Sequence, residues 1–117
     1  MEVMKIAALS LMAVGLVVFV ACTQSTDTKG DTGKGKMVFN DINFGAGTSG
    51  KSCNSCHPDG KMLEKSGEKK EFNIMGQKQN SLEEAVNVCI EMALKGKAID
   101  PKSEDMVNIV AYIKSLK

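Results

Sequence analysis

Arginine and tryptophan are absent from this 117-residue chain, which has one His, one Tyr and only four Phe. Without a guanidinium, the bidentate clamping of phosphate or carboxylate that arginine performs best is not available. One His excludes a cage of several imidazoles, and any Ser-His-Asp triad would have to use His57. Charge of one sign is also missing. Fifteen Lys against 14 acidic residues leave a formal charge of +1, without the basic excess of nucleic-acid binders, so no nucleic-acid partner is expected. Alternating period-two stretches are lacking, and strands are not expected to matter. What the chain does have in surplus, for its length, is four Cys.

The first of them, Cys22, follows an apolar run. Residues 6–21 are broken only by Ser10 and Gly15, and polarity changes abruptly after Cys22. Sixteen residues are short for about 30 Å of hydrocarbon, and the small residue before the break suits an export signal. A Cys directly after Ala21 resembles the lipobox of bacterial lipoproteins, although Phe19 stands where that box usually has Leu. The resemblance implies a signal over residues 1–21, cleavage before Cys22, lipidation of its thiol, and a membrane-held domain on the periplasmic side. Residues 22–32 are polar and Gly/Asp/Thr-rich and read as a flexible tether. The remaining segment, residues 33–117, is of a size at which one hydrophobic core is marginal without reinforcement.

That segment reads as all-α. A short helix is expected over residues 34–44, where Val38 and Ile42 are four apart; Gly45, Gly47 and Gly50 then interrupt regular structure. Residues 58–80 are rich in Lys and Glu and read as surface loop. Ser81 and Glu84 have capping-box spacing. After them Leu82, Val86, Cys89 and Ala93 form one helical stripe, ended by Lys95 and Gly96. A last helix is expected from Asp100-Pro101, with Met106, Ile109, Val110, Ile113 and Leu116 as its buried stripe.

Cys53-Asn54-Ser55-Cys56-His57 is C-x-x-C-H, the haem-attachment signature. Two thiols three positions apart on a tight turn reach the two vinyl groups of one porphyrin, and the next residue places an imidazole under the iron. One covalent haem c is therefore expected, held by Cys53 and Cys56 with His57 as proximal ligand, and it would supply the missing core. Three other uses of these residues weigh less. A thioredoxin-like dithiol wants a βαβ setting, a Cys53–Cys56 disulfide closes too small a loop to stabilise a domain, and a zinc site wants four converging ligands.

With this motif the chain resembles the single-haem class I c-type cytochromes, from about Gly33 to Leu116. Gly35 and Phe39 match the family's first helix, and Val110-Ala111-Tyr112-Ile113 its last. The resemblance implies a small cytochrome c fold in which these two helices cross at Gly35, Phe39 and Tyr112. It also implies a distal iron ligand, with Met92 nearest the family's position. Cys89 competes for that place. The stretch from Asn87 through Lys97, with Ser103 to Met106, is similar to a segment of the cytochromes of thiosulfate oxidation, where a Cys can bind iron. Met106 comes next, then Asn87, by comparison with cytochromes that use a displaceable Asn. The expected function is transfer of single electrons between a membrane donor and a soluble or membrane-bound acceptor protein, without catalysis. Lys51, Lys61, Lys65, Lys69 and Lys70 flank the motif as candidates for steering acidic partners. The alternatives are a gas-sensing haem protein, or a partner module of a sulfur-compound oxidoreductase using Cys89.

Overall fold

The computed structural model describes residues 29–117; the signal, Cys22 and the tether up to residue 28 lie outside the described residues. Four α-helices and one β-hairpin make up the regular structure. In chain order they are α1 (Thr32–Asn40), α2 (Cys53–Cys56), β1 (Phe72–Ile74), β2 (Gln77–Gln79), α3 (Leu82–Met92) and α4 (Glu104–Ser115). No helix among the described residues is long and apolar enough to cross a membrane.

Helix α1 starts two residues before the expected Lys34, because Asp31 caps it by accepting from Lys34 N–H at 2.8 Å. It stops at Asn40 rather than Phe44. Asp41 is extended, and Phe44 belongs to a separate 3-10 turn, Phe44–Ala46, with Gly45 at φ +61°. Folded structure also reaches back beyond residue 33. Asp31 N–H donates to Asn108 Oδ1 at 2.8 Å, and Gly30 lies so close to α4 that a Cβ would stand 2.7 Å from Ala111 Cβ. The last residues assigned to the tether are thus part of the domain.

Helix α3 begins where its cap predicts: Ser81 Oγ accepts from Glu84 N–H at 3.1 Å. The Glu84 carboxylate reaches one residue farther than a standard box, to Asn80 N–H at 2.8 Å. Its C-terminus widens, with Cys89 O accepting from both Ala93 and Leu94, before Lys95 turns the chain at φ +56°. Helix α4 starts at Glu104, not at Asp100-Pro101. Ser103 is the cap, while Asp100 forms a local turn through Lys102 N–H at 2.8 Å. The expectation that strands are unimportant also needs correction. β1 and β2 pair antiparallel through a two-residue loop, Met75-Gly76, in which both residues have positive φ, as a type I′ turn requires.

The core forms where α1 crosses α4. Gly35 of α1 lies against Asn108 and Tyr112, where a Cβ would overlap the Asn108 carbonyl, so the helices meet backbone to backbone. One turn on, Phe39 meets Tyr112 edge-to-face at 5.1 Å between ring centroids, a geometry worth about 0.5–1.5 kcal/mol beyond buried area. Ile90, Met106 and Ile109 are completely enclosed beside them. The sequence stripe of α4 is therefore its buried face. The four-residue stripe of α3 divides by burial: Leu82 and Val86 are buried and join the core, while Cys89 and Ala93 stay half-buried, and all four line one cavity.

Candidate functional site

One apolar cavity of about 240 Å³ opens between α2, α3, α4 and the segment 62–74. Phe39, Ile109 and Ile113 form its floor; Leu63, Phe72 and Ile74 come from the long loop and hairpin. From α3 it takes Leu82, Ala85, Val86, Cys89 and Ala93, which include every member of the stripe legible in the sequence. Cys53, Cys56 and His57 complete the wall.

The C-x-x-C-H segment is a single helical turn. His57 N–H donates to Cys53 O at 2.9 Å, and Ser52 N–H donates to Ser55 Oγ at 3.0 Å, closing the turn at both ends. Pro58-Asp59-Gly60 then reverses the chain, with Asp59 N–H held by Asn54 Oδ1 at 2.8 Å. This reversal brings the Lys61 carbonyl 3.0 Å from His57 Nδ1. A carbonyl only accepts, so Nδ1 carries the proton and Nε2 keeps its lone pair, the tautomer a metal requires. The reversal is braced from behind. Gly60 (φ +81°) leaves room for Leu116, whose Cδ2 would lie 2.8 Å from a Cβ there, and Lys65 N–H donates to Leu116 O at 3.2 Å.

Cys53, Cys56 and Cys89 are free thiols. Burial, then the neighbouring Cys89, pushes the Cys53 thiol up to about 12. Burial and then Cys56 also raise Cys89. All three cysteines line the one cavity. Among the described residues, no three His, Cys, Asp or Glu converge as a metal cage, so the four-ligand zinc arrangement is not formed. An iron carried by a porphyrin needs only two protein ligands.

The candidates for the distal position separate clearly. Met92 is exposed and absent from the cavity wall; its sulfur faces Gln77 Nε2 at 3.9 Å. Met106 is sealed in the core. Asn87 is committed to the backbone of Ile99, accepting from its N–H and donating to its carbonyl, both at 2.9 Å. Cys89 alone among them lines the cavity. Of the five flanking lysines only Lys69 does so. The Lys61 carbonyl and the contribution of Ser52, Leu63 and Ser66 had no signal in the sequence, because backbone acceptors and loop side chains follow no period.

An apolar slot with two thiols on one turn, and an imidazole whose tautomer leaves Nε2 free, fits covalent haem and defines a c-type cytochrome domain. Residues 34–116 match the family model of the SoxA/TsdA cytochrome c domain, and the chain belongs to that family. Neither a curated protein nor a solved structure matches it.

Proposed function

We propose that the chain is a one-haem electron carrier serving the oxidation of sulfur compounds, with Cys53 and Cys56 holding the porphyrin, His57 as proximal ligand and Cys89 as distal ligand. The observation that carries this reading is the shared cavity: the motif and Cys89 line one apolar space, and Met92 does not. Bound haem c supplies a one-electron iron couple whose potential the axial ligands tune. The chain's own residues do the rest. The Lys61 carbonyl holds the His57 ring in orientation, Phe39, Ile109 and Ile113 exclude water, and Cys89 gives up its proton on ligation. Because burial raises the Cys89 thiol, its use as a ligand would release a proton, and haem c held there would supply an iron whose ferric state a thiolate favours.

Export, lipidation at Cys22 and a tether ahead of the domain belong to the same proposal, supported by the apolar run over residues 6–21 and the Cys that follows it. A tether of about seven residues, ending before Gly30, would reach on the order of 13–16 Å, which would let a membrane-held domain meet both a membrane donor and a soluble acceptor. The deciding experiment compares ferric spectra and reduction potentials of the wild type, Cys89→Ser and Met92→Leu. Cys89→Ser is expected to raise the potential and change the low-spin signals, and Met92→Leu to leave both as they are. A far-red charge-transfer band of Met–iron ligation that vanishes in Met92→Leu would overturn the assignment. Cys22→Ser is expected to release the protein from membranes.

A further inference from the structure

The cavity is almost wholly apolar, and two polar side chains of its wall, Ser66 and Lys69, have no hydrogen-bond or ion-pair partner among the described residues. Ser66 is 4% exposed, yet its hydroxyl has no hydrogen-bond partner among the described residues. The other buried polar side chains are engaged. Asn108 accepts from Asp31 N–H, and Ser52 Oγ lies 3.4 Å from Ser55 Oγ. Since no fully enclosed side-chain oxygen or nitrogen lacks a partner among the described residues, the Ser66 hydroxyl keeps some accessible surface, and Ser66 is part of the cavity wall. A ligand acceptor in the cavity would give that hydroxyl a partner the described residues do not supply. Lys69, three residues on, is the one cationic side chain in the wall. Its acidic neighbours are turned elsewhere. Glu71 pairs with Lys78 at 2.8 Å, and Glu68 lines a separate groove with Lys65, Lys114 and Lys117.

We propose that Ser66 Oγ and Lys69 Nζ form the carboxylate-binding end of the haem pocket, the hydroxyl donating to one propionate and the ammonium pairing with a propionate at the mouth. The inference rests on the haem reading above and deepens it. Haem c carries its two thioether carbons on one side of the ring and its two carboxylates at another edge. With Cys53 and Cys56 fixing the first, the polar edge needs donors elsewhere in the wall. The 3-10 turn Ser66–Glu68 packs on α4, whereas α2 packs on α1. The turn is itself held in place. Ser66 N–H donates to Leu63 O at 3.0 Å and Lys69 N–H to Ser66 O at 3.2 Å, so the two side chains are offered from one rigid corner. Charge-assisted bonds from the Lys69 ammonium and the Ser66 hydroxyl to the carboxylates would fix the tilt of the ring that the thioethers alone leave free.

The test uses the holoprotein and four variants: Ser66→Ala, Lys69→Gln, Lys69→Arg, and Lys51→Gln as a charge-matched control outside the cavity wall. Haem content per chain is checked first by mass and by the pyridine haemochrome. The propionate bands of the resonance Raman spectrum are expected to shift in Ser66→Ala and in Lys69→Gln, to return in Lys69→Arg, and to stay put in Lys51→Gln. Lys69→Gln is expected to lower the reduction potential by more than Lys51→Gln does. Unchanged propionate bands in both Ser66→Ala and Lys69→Gln, in fully haem-loaded protein, would overturn the proposal alone. A wild type without haem would remove it together with the haem reading.

Discussion

The crossing of α1 and α4 gives the sharpest prediction. In Gly35→Ala the new methyl group would overlap the Asn108 carbonyl and stand 2.7 Å from Tyr112 Cβ. Ordinary carbon–carbon contact is about 3.5–4.0 Å, so the helices must part by about 1 Å. The obstructing atoms are backbone and Cβ, which no rotamer change can move aside. The cost should therefore lie near the top of the overpacking range, about 3 kcal/mol. For a domain of about 60–100 residues this lowers the melting temperature by about 12–24 °C. Parting the helices also withdraws Phe39 from Tyr112 and from the cavity floor, so the haem absorbance should change in the native state. The assay is guanidinium and thermal denaturation of the ferric holoprotein, followed by far-UV dichroism and Soret absorbance. Gly33→Ala is the internal control. It sits in the same helix on the exposed side, with only the Asp31 side chain nearby at 3.1 Å, and should change stability by no more than about 1 kcal/mol. A Gly35→Ala loss below about 1 kcal/mol, with an unaltered Soret band, would refute the close crossing.

Three more outcomes are expected. Asn87→Ala removes both hydrogen bonds to Ile99 and should cost about 2 kcal/mol in chemical denaturation, while leaving the axial-ligand spectrum unchanged. Met75→Asn places a residue that tolerates positive φ in the hairpin turn, where Met75 now sits at φ +50°, and should raise the stability by about 0.5–1 kcal/mol in the same assay. Lys34 and Glu104 join the ends of α1 and α4 at 2.7 Å. Lys34 holds the Glu104 carboxyl below the usual range, and Glu104 holds the Lys34 ammonium above its own. The Glu104 contribution is present above the ordinary carboxylate range and is lost as pH falls through the lowered value. The Lys34 contribution is present below the ordinary lysine range and is lost as pH rises through the raised value. Both partners are exposed, so the effect is small. Lys34→Ala should flatten the acid limb of midpoint against pH, and about 1 M salt should do the same in the wild type.

The parts of this fold that follow a period or a fixed motif were legible in the sequence. The α4 stripe and the Ser81 cap stand where the residues put them, because helical spacing and capping are local, while the Gly35–Phe39–Tyr112 crossing stands where the family resemblance implied it. The stripe of α3 was read correctly as one face. Periodicity cannot say that this whole face lines a cavity as well as packing on protein. Asp100-Pro101 misplaced the start of α4 by a few residues, since Asp100 serves a local turn equally well. The hairpin went unseen because its strands are three residues long and Gln77-Lys78-Gln79 has no apolar alternation. Met92 stood first among distal ligands by family position. Only the register of α3 showed that Cys89, three residues earlier, faces the space and Met92 faces Gln77.

The imidazole owes its orientation to the far end of the chain. Leu116 presses on the reversal that carries the Lys61 carbonyl, and its own carbonyl ties down Lys65. The two sulfurs of the motif sit on a turn closed by its own local bonds, from Ser52 to Ser55 and from His57 N–H to Cys53 O. Loosening of Leu116 should therefore reach the imidazole's partner before it reaches the turn that carries the two thiols.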